Sequence, residues 1–194
     1  MSPVGSALIL AVMIGVAAPT CAQDAGLDVI VVSPPGLPIE VVAFTVDEVT
    51  QTVRIDAQQG RGTTHFSGPV LGPATITFRV LAGHPRLAGK RWSTDIPLNG
   101  SGHLEYHILE NGRGESKQWP LVRWLSTRET LDVTLNGATL GSTERRKGVS
   151  PHQQHQSAWM RDGRTVCRTE FTLDYNVERT YRCDPATGAV TQGR

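Results

Sequence analysis

Residues 165–183 read TVCRTEFTLDYNVERTYRC, and their alternation decides the fold class. Thr169, Phe171 and Leu173 alternate with Arg168, Glu170 and Thr172. Beyond Asp174-Tyr175-Asn176, Val177, Arg179 and Tyr181 alternate with Glu178, Thr180 and Arg182. A period of two marks a half-buried strand. Folding the stretch about Tyr175 sets Leu173 against Val177, Phe171 against Arg179, Thr169 against Tyr181 and Cys167 against Cys183. The expectation is an antiparallel hairpin whose loop ends on Asn176, a residue that tolerates the left-handed conformation such a loop needs. A slip of one residue would turn an apolar set outwards and part the cysteines. Closing the loop with a Cys167–Cys183 disulfide should contribute about 3 kcal/mol in the chain-entropy model. Upstream, Asp162-Gly163 is a two-residue turn signal between Ala158-Trp159-Met160 and Thr165-Val166. Residues 157–194 are therefore expected to form a disulfide-closed β-meander.

The same reading extends towards the N-terminus. Apolar or alternating runs at Leu27–Val32, Ile39–Val46, Thr52–Ile55, Thr75–Val80, Trp92–Leu98, His103–Leu109 and Leu131–Leu135 are punctuated by Pro34-Pro35-Gly36, Gly60-Arg61-Gly62, Gly72-Pro73 and Asn136-Gly137. Short strands at this spacing predict an all-β, mainly antiparallel sandwich or barrel. Leu121, Trp124 and Leu125 sit at helical spacing, which predicts one short helix near 120–128. Residues 141–156 are polar and read as a linker or long loop, so a sandwich-like domain is expected over 23–140.

Export is legible at the start. Val4 to Ala18 is an unbroken run of apolar and small residues, followed by Pro19-Thr20-Cys21-Ala22. Such a run is too short to span a bilayer and fits a secretory signal over 1–22, cut before Gln23. No Lys or Arg precedes it, and Cys21 lacks the Leu three residues earlier that lipid attachment favours. The mature chain then keeps Cys167 and Cys183, an even pair in an oxidising compartment, with no transmembrane segment. Periplasmic or secreted protein is the expectation.

Charge excludes one large class. With 19 Lys and Arg against 18 Asp and Glu, the chain carries a formal +1 spread without blocks, which argues against nucleic acid as a partner. The C-terminal lean through Arg145, Arg146, Lys147, Arg161, Arg164 and Arg168 is interleaved with Glu144, Asp162 and Glu170 and reads as solvated surface.

Thr52–Asp56, Gly62-Thr63-Thr64 and Leu71–Val80 together resemble the small PEGA-type and transthyretin-like envelope modules, with Gly72-Pro73 where those modules bend at Pro-Gly. The resemblance covers about thirty residues and implies an adaptor rather than a chemistry.

Chemical motifs are sparse. On a strand, His103, Glu105 and His107 share a face, and His with carboxylate is a metal-ligand set. The two histidines would stand roughly 13 Å apart on a flat strand, too far for one ion to reach both. His152 and His155 read as polar loop, and His65 and His84 as isolated residues. Gly83–Lys90 has the wrong spacing for a phosphate loop and is followed by Arg91 instead of Ser or Thr. No Gly-x-Ser-x-Gly elbow occurs, the mature chain offers no free cysteine nucleophile, and the adjacent acids Asp47-Glu48 would point to opposite faces. Trp119, Arg123, Trp124 and Trp159 form a candidate binding surface if exposed and a core set if buried. The reading that results is a non-enzymatic binding or structural module of the cell envelope, acting through an exposed sheet face or edge without a cofactor. Its partner would be an envelope or extracellular protein or a glycan. The alternatives are an inhibitor or immunity-type protein that plugs a partner with its loops, and a metal-assisted enzyme built on the His103 strand.

Overall fold

The computed structural model describes residues 26–193 apart from 38, 57, 69, 71, 82 and 83, so the expected signal peptide lies outside the described residues. The first eight strands are β1 (Leu27–Val32), β2 (Ile39–Val46), β3 (Val49–Val53), β4 (Arg61–Phe66), β5 (Ala74–Val80), β6 (Arg91–Ile96), β7 (His103–Ile108) and β8 (Gly114–Gln118). They form two sheets, ordered β4-β1-β7-β8 and β3-β2-β5-β6. Alternation dictates the packing, because a strand sends every second side chain to one face. Val29 and Val31 of β1, Leu104, Tyr106 and Ile108 of β7, Phe44 of β2, and Ile76 and Phe78 of β5 are buried in one core between the sheets.

The next eight are β9 (Leu121–Ser126), β10 (Asp132–Leu135), β11 (Ala138–Ser142), β12 (Arg146–Gly148), β13 (His155–Arg161), β14 (Arg164–Phe171), β15 (Glu178–Asp184) and β16 (Ala189–Gly193). Their sheets are ordered β12-β9-β15-β16 and β11-β10-β13-β14. Adding eight to each strand number of the first pair of sheets reproduces the second pair. In both halves the first strand runs parallel to the seventh, β1 with β7 and β9 with β15. The molecule is thus two sandwiches of the same topology in tandem, each with its own apolar cluster. Nothing in the residues announces the repeat: Leu27–Val32 and Leu121–Ser126 occupy equivalent places with different side chains.

Several expectations are corrected here. Leu121–Ser126 is a strand, not a helix. Val122 and Trp124, at 0% exposure, face the core while Arg123 and Leu125 are only partly buried, a period of two that the helical spacing of the three large residues concealed. The stretch 141–156 holds the end of β11, all of β12 and the start of β13, so the boundaries expected at 140 and 157 fall inside the second sandwich. Short polar edge strands carry little apolar signal, which is why this stretch reads as loop. The strands behind the envelope-module resemblance are shared out. β3 and β5 flank β2 in one sheet, whereas β4 joins β1 in the other.

The cysteines do pair, with Cα atoms 5.9 Å apart. The strands that carry them do not. β14 bonds to β13, and β15 bonds to β9 and β16 in the opposite sheet, so residues 172–177 form an arch between sheets rather than a hairpin loop. Alternation cannot tell these apart, because arch and hairpin bury the same set. Phe171, Leu173, Tyr181 and both cysteines are indeed inside. Asn176 does take the left-handed conformation, at φ 60°. The turns at Asn136-Gly137 and Asp162-Gly163 have positive φ at both residues, as two-residue hairpin turns of that composition require.

Candidate functional site

The register of the β4-β1-β7-β8 sheet builds an ordered outer face. Asp28 of β1 stands opposite His65 of β4 on one side and His103 of β7 on the other. The Asp28 carboxylate accepts a hydrogen bond from His65 Nδ1 at 2.7 Å, and its second oxygen lies 3.4 Å from His103 Nδ1. The His103 ring stacks on Trp119 with centroids 3.6 Å apart. Burial, the larger influence, lowers the His103 pKa, and the Asp28 charge opposes that shift.

One row along, Glu105 takes two partners. His107 Nε2 donates to one oxygen at 3.2 Å, and the Tyr175 hydroxyl, from the arch of the second sandwich, donates to the other at 3.1 Å. Burial first, then the Glu105 charge and hydrogen bond, push the Tyr175 phenol up, against a smaller lowering by Arg61. Lys117 Nζ sits 5.9 Å over the Tyr175 ring, within cation–π range. Asn176 fastens the arch to the end of β8. Gln118 N–H donates to its side-chain oxygen, and its own N–H donates to the Gln118 carbonyl, each at 2.8 Å. With only Trp119 and Pro120 between β8 and β9, the two sandwiches are joined closely.

His103, Glu105 and His107 do share a face, as the strand reading expects, but the histidines answer to different carboxylates. Among the described residues no three His, Cys, Asp or Glu side chains come together in a way that could hold one ion. The tryptophan surface divides. Trp124 and Trp159 are fully buried, their indole N–H groups donating to Ser157 Oγ and the Leu125 carbonyl, so neither belongs to a surface. Trp119 is half-buried against His103, and Arg123 is partly buried on the outer side of β9. His152 is drawn to Asp174 at 3.1 Å, and His155 is buried with its Nε2 donating to the Ser150 carbonyl.

Beside the Asp28 row a cleft of about 720 Å³ opens between the sandwiches. One wall is Asp28, His65 and His103 with the loop before β7; the other is Thr139 and Leu140 of β11 and Arg145–Gly148 around β12. β11 and β12 are both edge strands, so the cleft lies against the open flank of the second sandwich. Gly148 lets the two halves meet, since a methyl group there would collide with the Ser101 carbonyl oxygen. Sequence reasoning missed Asp28, His65 and Tyr175, whose partners lie 37 to 75 positions away. The sole signal was that Asp28 alternates with Leu27 and Val29, which places a charge on the outer face.

No family model matches this chain, and no curated protein matches it in sequence. Among solved structures, the CBM26-family module CBMbc of Eubacterium rectale Amy13K, in complex with maltoheptaose, is similar at 12% identity and TM-score 0.30, covering 87% of this chain and 96% of that one. The Bacillus anthracis TIE protein is similar at 8% identity and TM-score 0.25, over 82% of this chain and 33% of that one. The multi-modular glycogen-degrading pneumococcal virulence factor SpuA is similar at 8% identity and TM-score 0.28, over 88% of this chain and 22% of that one. Likenesses at this level leave function to the geometry of the chain itself.

Proposed function

We propose that this chain is a non-catalytic binding module, exported to an oxidising compartment, that holds its ligand on the outer face of the β4-β1-β7-β8 sheet and in the adjoining cleft. One observation carries the reading: the face has polar and aromatic side chains held in place by one another, and it opens onto a concavity of about 720 Å³. That volume is in the range of small-molecule sites. Groups prearranged in this way lose little freedom on binding. The acids and bases of the face are paired with each other. A buried disulfide suits a secreted or periplasmic setting. Among the described residues, no helix is long and apolar enough to cross a membrane. The arch is already occupied against the first sandwich through Tyr175 and Asn176, which disfavours its use as a plug for a partner.

An NMR titration with a panel of soluble oligosaccharides tests this. Shift changes should centre on Asp28, His65, His103 and Tyr175. Release of shortened sugars, or shifts confined to the far sheet β3-β2-β5-β6, would overturn it.

A further inference from the structure

We infer that the cleft between the sandwiches recognises an anionic group, a carboxylate or sulfate, carried on an oligosaccharide; this rests on the binding role proposed above. The chain as a whole is nearly neutral, at a formal +1. The cleft is not: Arg145, Arg146 and Lys147 line one wall, and Asp28, on the other, is the single acidic residue among those lining it. Both Asp28 oxygens are turned to the two imidazoles, at 2.7 and 3.4 Å, so the carboxylate is already partnered within its own wall. Glu178 lies 4.0 Å from Arg146 with both side chains about half exposed, a pair of little strength.

Three neutral polar side chains of the cleft, Asn99, Ser101 and Gln118, are engaged within their own wall. Asn99 donates to the Trp119 carbonyl and accepts from Ser101 N–H. Gln118 accepts from Asn99 N–H and donates to the Pro97 carbonyl, and Ser101 Oγ donates to the His103 carbonyl. These side chains hold the loop before β7 in shape. Arg146 and Lys147, both exposed, line the opposite wall, and guanidinium groups bind carboxylate and sulfate oxygens in forked pairs. Low-dielectric walls on two sides strengthen such pairs relative to open water.

Calorimetry on the full mature chain tests the inference with three oligosaccharides of equal length: a uronate polymer fragment, a sulfated one and a neutral one. An anion-bearing sugar should bind, more weakly at high salt, and the Arg146→Gln/Lys147→Gln variant should lose about tenfold or more of the affinity. The uronate and sulfated arms distinguish carboxylate from sulfate recognition, and either supports the inference. Arg164→Gln/Arg168→Gln on β14 makes the same change in net charge outside the cleft lining and should leave affinity unchanged. All variants should keep the parent melting temperature, because these side chains are exposed. Equal binding of the neutral sugar, indifferent to salt and to the cleft variant, would sink the charge inference and leave the binding role standing. Loss of affinity in the β14 variant but not in the cleft variant would place the anion site elsewhere. Failure of all three sugars to bind would sink the binding role with it.

Discussion

His103 shows how one residue serves two demands. Its ring is packed on Trp119 and its Nδ1 faces Asp28, so burial favours the neutral form while the carboxylate favours the charged one. Burial prevails, and the pKa falls below the ordinary 6.5. A histidine with a depressed pKa binds fewer protons folded than unfolded in the window below that value. Its contribution to stability is therefore complete above the unfolded pKa and is lost as pH falls through the folded one. Urea unfolding at pH 7 and pH 5 should show the wild type losing stability on acidification, and His103→Gln losing less. Equal loss in both would show that the ring is not differentially protonated. The buried tryptophans follow a simpler rule. Each indole N–H found an acceptor across the core, which lets a large polar-tipped ring be buried at no hydrogen-bond cost.

At the scale of elements, the arch of residues 172–177 is the decisive piece. It carries the chain from one sheet of the second sandwich to the other, and its tip reaches the first sandwich through Tyr175 and Asn176. The disulfide lies at its base, with Cys167 and Cys183 at 2% and 0% exposure in the core. In the first sandwich the equivalent strands, β6 and β7, have aromatic packing instead. Trp92 stacks on Phe78 at 5.3 Å, and Tyr106 meets Phe78 edge-on at 6.5 Å. Because the bridge closes a separation of 16 residues, Cys167→Ser/Cys183→Ser should cost about 2–4 kcal/mol, measured by denaturant unfolding under oxidising conditions. A loss confined to a few tenths would mean that the two sheets need no cross-link there.

For the whole molecule, two apolar clusters, one from residues 27–108 and one from 122–190, imply two cooperative units. Reduction should weaken only the second, since the disulfide belongs to it. Calorimetric melting in reductant is then expected to separate into two transitions, the lower one moving with reductant and the upper one fixed. A single transition that shifts as a whole would show that the junction at Gln118, Asn176 and Gly148 couples the halves into one unit.

Much of this was legible in the chain alone. The β class, the strands at Leu27–Val32 and Ile39–Val46, the Asn136-Gly137 turn and the inward side chains around both cysteines follow from alternation and turn chemistry, which act between near neighbours. The pairing of β1 with β7, the tandem repeat, the arch in place of a hairpin, and the meeting of Asp28 with His65 and His103 were decided by the tertiary structure. Each depends on which strands lie side by side. Period-two alternation names the face a residue occupies but never the strand across from it, and a parallel pair joined over some seventy residues leaves no local mark.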